Sequence, residues 1–244
     1  MAGDDNQKGR VPTGIDEYDK MLGGGFLDNT LNLITGCSGA GKTLFSLTFL
    51  YRGAMRYGDK GIYITLEESA DQVVRDARSI GVDLASQQDA ITILDIAKLR
   101  RLYTNKEELS QSDSLLDIDV LLDIISRNAE GAKRIVIDSI VPLSMRYPNA
   151  NEFRASLFRL MTTLKETKAT IIFTTEVDSS EQRISRFGIE DFLADSVTIL
   201  RQGAGESFRE RYIRVHKIRG SNHRKSFVEY SIQHDGIHIM LSDI

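Results

Sequence analysis

Eight residues, Gly36-Cys37-Ser38-Gly39-Ala40-Gly41-Lys42-Thr43, satisfy the pattern GxxxxGK[ST], and what flanks them decides what the pattern means. LNLIT at 31–35 reads as a buried strand, and the segment from Gly41 to Tyr57 carries a helical period. A strand, this loop and then a helix is the context a phosphate-binding loop requires. The glycines let backbone N–H groups turn inward around a triphosphate, and the helix N-terminus adds positive potential. The expected ATP contacts are therefore Gly36, Ser38, Gly39, Ala40, Gly41, Lys42, Thr43 and Leu44. Lys42 is expected to reach the β- and γ-phosphates, and the Thr43 hydroxyl to coordinate Mg²⁺. Cys37 is the single cysteine and reads as a small space-filling residue of the loop. One cysteine makes no internal disulfide, which fits a reducing cytoplasm.

The rest of the chain repeats that alternation. GIYITL at 61–66, Ile91–Leu94, RIVID at 134–138 and TIIFTT at 170–175 read as further buried strands. Helices are expected over Ala70–Ile80, over Leu115–Asn128 with Leu115, Ile118, Leu122 and Ile125 on its apolar face, and over Asn151–Lys168. Continuous apolar strands separated by helices predict a mostly parallel sheet covered on both faces, an α/β fold. After Asp195 the rhythm changes: SVTIL, RYIRVHKI, FVEYSI and GIHIM follow one another without helices and are expected to pair antiparallel at one edge. Lys98–Asp113 reads as a polar, exposed excursion. At 244 residues the chain is expected to form one domain over 1–244. It divides into an N-terminal segment (1–30), a core (31–200) and a C-terminal β extension (201–244).

Two more sets of acids complete the expected chemistry. Asp138 closes RIVID and is followed by Ser139, the position from which a carboxylate holds Mg²⁺ through water. Glu67 and Glu68 leave the strand GIYITL where a carboxylate can orient the attacking water. Neighbouring residues point opposite ways, so one is expected to touch the water, with Glu67 favoured as base and Glu68 bonding elsewhere nearby.

Composition narrows the classes. No run approaches ~20 apolar residues, so no membrane-spanning helix is expected. The polar start MAGDDNQKGR lacks the apolar centre of a secretory signal. A net charge of −4 argues against a nucleic-acid-coated protein, yet Arg201–Lys225 holds eight Lys and Arg against two Glu. Such a segment suits an anionic partner.

These residues resemble the KaiC branch of the RecA/RadA class of P-loop ATPases. RVPTGIDEYDKMLGGGF at 10–26, ITGCSGAGKTLFSLTFL, YITLEESADQVVRDARSIGVDL at 63–84, RFGIEDFLADSVTIL at 186–200 and HKIRGSNH at 216–223 carry the likeness, which covers nearly the whole chain. The resemblance implies a RecA-like core, ATP and Mg²⁺ as cofactors, ATP hydrolysis, and a homo-oligomeric ring, commonly a hexamer, passing a conformational signal to a protein partner. It also implies that ATP is shared between subunits. Lys217 and Arg219 would reach the neighbour's γ-phosphate, and Ile218, Ser221, His223 and Ser79 would lie beside nucleotide. The family's phosphate-accepting positions fall at Asp191 and Phe192, which carry no hydroxyl, so hydrolysis rather than autophosphorylation is implied. A DNA-binding recombinase paralogue is the competing expectation, with Arg146 and Tyr147 in one loop and Arg183, Arg186 and Phe187 in another available for phosphates and bases.

Overall fold

The structure is a computed structural model describing residues 9–96, 98–99, 118–178, 183–203 and 210–241. A two-stranded ribbon of β1 (Arg10–Val11) and β2 (Phe26–Leu27) brackets α1 (Asp16–Leu22). Then follow β3 (Leu31–Gly36), α2 (Lys42–Tyr57), β4 (Gly61–Thr65), α3 (Ala70–Ser79) and β5 (Ile91–Asp95). Next come α4 (Ile118–Asn128), β6 (Arg134–Asp138), α5 (Ala150–Glu166), β7 (Thr170–Glu176) and the short α6 (Glu190–Leu193). The described chain ends in β8 (Ser196–Gln202), β9 (Arg211–Ile218), β10 (Val228–Gln233) and β11 (Gly236–Ile239).

The main sheet has the order β11-β10-β9-β8-β3-β7-β6-β4-β5. β3 is buried along its whole length because parallel strands flank it and apolar layers cover both faces. On one face α1, α2 and α3 pack Tyr18, Phe45, Leu47, Phe49, Val73 and Ala77. On the other, α4 and α5 pack Ile118, Leu121, Ile125, Leu157, Leu160 and Leu164. Fully burying one such side chain contributes about 1.5–3 kcal/mol, so each helix is held by its sheet-facing stripe. Ser69 and Asn149 accept first-turn N–H groups and start α3 and α5.

Two expectations are adjusted. SVTIL lies within β8, which is not purely antiparallel: it runs parallel to β3 and antiparallel to β9, so it joins core to extension. The stripe of α4 centres on Leu121 and Ile124 with Ile118 and Ile125, while Leu122 is only half-buried. Four apolar residues at 121, 122, 124 and 125 fit two neighbouring stripes, and docking chose between them. The predicted start at Leu115, and nearly all of Lys98–Asp113, lie outside the described residues.

Arg134 is an internal strut linking the N-terminal motif to α2. It is 1% exposed, ion-paired to Asp59 at 2.7 Å, and donates to the carbonyls of Pro12 (2.7 Å) and Phe49 (3.0 Å). A Cβ on Gly53 would stand 2.2 Å from its Nε, and those partners leave the guanidinium no room to retreat. Ala ordinarily favours a helix over Gly by about 1 kcal/mol, but overpacking costs about 1–3 kcal/mol. Gly53→Ala is therefore expected to lose stability in urea unfolding rather than gain it.

Candidate active site

The phosphate loop joins the C-terminal end of β3 to α2, and two glycines show why it needs its sequence. A Cβ on Gly36 would lie 2.3 Å from the Leu200 carbonyl oxygen. Gly41 sits at φ 88°, a left-handed conformation that side chains resist. The C-terminal hairpin props the loop from outside: the Tyr230 hydroxyl donates to the Ala40 carbonyl, and Ile232 abuts Gly41. Ser38 and Gly39 are exposed at the loop tip, and Leu44 is buried one turn into α2. The Lys42 ammonium spans the loop, donating to the carbonyls of Gly36 (3.0 Å) and Cys37 (2.9 Å).

Asp138 is brought to this loop by parallel registration of β6 between β4 and β7. Its Oδ2 accepts from the Thr43 hydroxyl at 2.7 Å and from the Tyr63 phenol at 2.6 Å, while Oδ1 accepts from Thr174. Burial first, and then the Asp138 charge, raises the Tyr63 pKa well above the ordinary phenol value, so it stays a donor. A hydroxyl and a carboxylate oxygen in hydrogen-bond contact form a hard oxygen pair of the kind that would suit Mg²⁺.

Glu67 accepts from the Ser139 hydroxyl at 3.2 Å. Although its side chain reaches solvent, partial desolvation raises its pKa; Ser139 opposes this, Asp138 and Glu176 add to it, and Lys42 opposes it weakly. Glu68 is also raised, by desolvation and then by Asp76, and its backbone closes a turn with the Thr65 hydroxyl. The two glutamates thus separate: Glu67 is tied to the residue after Asp138 and feels Lys42, whereas the first charge felt by Glu68 is Asp76 on α3.

Lys217 and Arg219 are not brought to this loop. Ile218 pairs with Ser196, which pairs with Asn32, at the far end of β3 from Gly36. Four residues of strand place them about 13 Å away along the sheet. There Lys217 Nζ donates to the carbonyls of Asp191 (2.7 Å) and Ala194 (2.8 Å), and Arg219 to that of Phe192 (2.8 Å). Beside them Ile218 is buried, and the Ser221 hydroxyl accepts from Arg10 at 2.6 Å. Both His223 ring nitrogens are buried without a hydrogen-bond partner among the described residues. Ser79 is exposed at the end of α3 with its hydroxyl on the Asp76 carbonyl. Close by, Gly81 packs against the His234 carbonyl, two residues beyond Ile232.

Three residues of this neighbourhood escaped sequence reasoning, Tyr63, Thr174 and Glu176, and Ser139 was named only as the neighbour of Asp138, without its bond to Glu67. Tyr63 carried a signal, being two before Thr65 and so on the same strand face. Glu176 pairs with Gly36 across the sheet, a relation no single segment reveals. For the competing DNA expectation, Tyr147 and Phe187 both pack their rings on Phe153, at 5.6 and 4.7 Å, so neither is a free stacking platform.

The sequence profile of the KaiC ATPases matches residues 11–243. The circadian clock oscillator protein KaiC of Parathermosynechococcus lividus is 36% identical over 93% of this chain, and that of Synechococcus elongatus 33% over 94%. These matches occupy 41% and 44% of those proteins, so the chain spans less than half the length of the curated relatives it matches. A KaiC-like protein from the hyperthermophilic archaeon Pyrococcus horikoshii superposes with a TM-score of 0.80 at 33% identity, covering 95% of this chain and 99% of that one. With the RecA-like sheet, the phosphate loop and a matched profile running from end to end of the fold, this chain belongs to the KaiC family of ATPases.

Proposed function

We propose that this protein hydrolyses ATP–Mg²⁺ at sites shared between neighbouring subunits of a homo-oligomeric ring. The single observation carrying the shared site is that Lys217 and Arg219 lie at the opposite end of β3 and β8 from the chain's own loop. A cation there serves catalysis only on another molecule's phosphate.

Within one subunit the loop N–H groups and Lys42 would hold the triphosphate, and Thr43 and Asp138 would hold Mg²⁺, which supplies charge neutralisation at the β- and γ-oxygens. Glu67, kept in place by Ser139, would orient the attacking water and accept its proton. The neighbour's Lys217 and Arg219 would stabilise charge developing on the γ-phosphoryl group. Ser79, Ser221 and His223 would line the rest of the nucleotide. The output would be conformational, passed from the ring to a protein partner, in a cytoplasmic setting.

Complementation tests this reading. Lys42→Ala has a dead loop and a sound finger; Arg219→Ala has the reverse. Each alone is expected to be inactive. In a head-to-tail ring formed from an equal, exchanging mixture, about a quarter of the interfaces pair a sound loop with a sound finger. Phosphate release should rise to about that fraction of the parent rate and peak near equal mixing. A monomer active at nanomolar concentration, with no rescue in the mixture, overturns the shared site.

A further inference from the structure

Glu190 is a carboxylate the proposed chemistry does not use, and it is 0% exposed. Such a group must be fully hydrogen-bonded to persist in a core. It accepts from the Thr175 hydroxyl at 3.2 Å, from the Phe187 N–H at 3.2 Å to each oxygen, and from the Ile189 N–H at 3.1 Å. It therefore binds the loop before α6 to β7, the strand whose next residue, Glu176, pairs with Gly36 of the phosphate loop. Glu190 is also the first residue of α6, and its carbonyl accepts the Ala194 N–H at 3.0 Å. A four-residue helix cannot hold its own conformation, so this side chain anchors it.

What α6 does becomes visible from its carbonyls. Those of Asp191, Phe192 and Ala194, all within four residues of Glu190, hold the Lys217 ammonium and the Arg219 guanidinium. Arg219 is otherwise 57% exposed and stands 3.9 Å from Asp195. Its 2.8 Å bond to the Phe192 carbonyl is shorter than that contact, so the platform of peptide oxygens aims it more directly.

We propose that Glu190 is a positioning residue: through its bonds to Thr175, Phe187 and Ile189 it sets the α6 carbonyls that aim Lys217 and Arg219 at the neighbouring subunit's nucleotide. This rests on the shared-site reading above. It extends that reading by tying a subunit's finger to the strand beside its own phosphate loop. Removing the carboxylate frees two buried N–H groups and lets α6 drift, so the finger misses while the chain's own loop stays intact.

The test compares Glu190→Ala, Glu190→Gln and Thr175→Val in the full-length chain, measuring nucleotide affinity, turnover and complementation. ATP affinity is expected to change by less than about threefold. Turnover should fall about 10- to 100-fold for Glu190→Ala, short of the ~10³-fold or greater loss that removal of an arginine finger brings. Glu190→Gln, which retains one acceptor oxygen, should lose less. Mixed with Lys42→Ala, whose finger is sound, the Glu190→Ala chain should regain activity; mixed with Arg219→Ala it should not. The opposite pattern means that Glu190 serves its own loop and overturns the assignment. Rescue in the reference pair, Lys42→Ala with Arg219→Ala, but in neither Glu190 mixture overturns this assignment alone. No rescue in the reference pair removes the shared site and this assignment together. If the Glu190 variants fail to fold, Thr175→Val, which deletes one bond and no charge, carries the same comparison, and unchanged turnover there counts against the proposal.

Discussion

Glu67→Gln is expected to bind ATP–Mg²⁺ about as well as the parent and to hydrolyse it about 10²–10⁴-fold more slowly, the range by which a positioned general base accelerates proton transfer. The amide keeps the shape of the carboxylate and its acceptor for Ser139, but it cannot take the proton of the attacking water. The pH dependence supplies an independent readout. Partial desolvation, with Asp138 and Glu176 close by, raises the Glu67 pKa above its ordinary 4.5. A base works only when ionised, so the parent's turnover should fall on acidification at a pH above that ordinary value. In Glu67→Gln this limb should vanish with the rate itself. Single-turnover phosphate release across pH, with nucleotide affinity measured in parallel, checks both expectations. The Glu68→Gln variant is the control. Its backbone closes a turn with Thr65, and Asp76 is the first charge it feels, so its loss should be smaller. A larger loss in Glu68→Gln than in Glu67→Gln exchanges their roles, and no loss in either moves the base elsewhere.

Lys42→Ala is expected to abolish ATP binding at millimolar nucleotide while leaving the fold intact. Hydrogen bonds to charged groups contribute about 1.5–3 kcal/mol each, so losing two phosphate contacts weakens binding about 10²–10⁴-fold. The surroundings amplify this. Asp138 and Glu176 both act on Glu67 as like charges, and Lys42 is the cation that opposes them. Without it a triphosphate approaches an acidic rim. The fold should tolerate the change, because Lys42 is only half-buried and its bonds run to the carbonyls of Gly36 and Cys37 within the loop. Titration with a fluorescent ATP analogue, alongside thermal unfolding, separates the two effects. Parent-like affinity in the variant removes the phosphate-loop assignment.

Local patterns were legible because each was complete within one segment. The loop between β3 and α2 carries its glycines, lysine and threonine in eight consecutive residues. The burial of β4 and β6 follows from short apolar runs, and Asp138 was readable as an acid ending such a run, while β3 buries the polar Asn32 among its apolar residues. The stripe of α4 was less legible, since adjacent apolar residues fit two faces equally and only the packing of Leu121 and Ile124 against the sheet decided. β8 was readable as a strand but not in its dual pairing, because partner choice belongs to the strands beside it.

What the sequence by itself determined is the local pattern within reach of one strand, loop and helix: a glycine-rich phosphate loop, its lysine and threonine, and acids at neighbouring strand ends. What only the tertiary structure decided is who faces whom. Registration of β6 between β4 and β7 put the Asp138 carboxylate against Thr43, Tyr63 and Thr174. Pairing of β9 with β8 carried Lys217 and Arg219 to the far end of the sheet, and packing of the chain before α6 against β7 buried Glu190 on Thr175. The physical reason is that covalent neighbours set periodicity and local turn chemistry, whereas contacts between residues a hundred positions apart follow from strand order and the apolar layers that lock it.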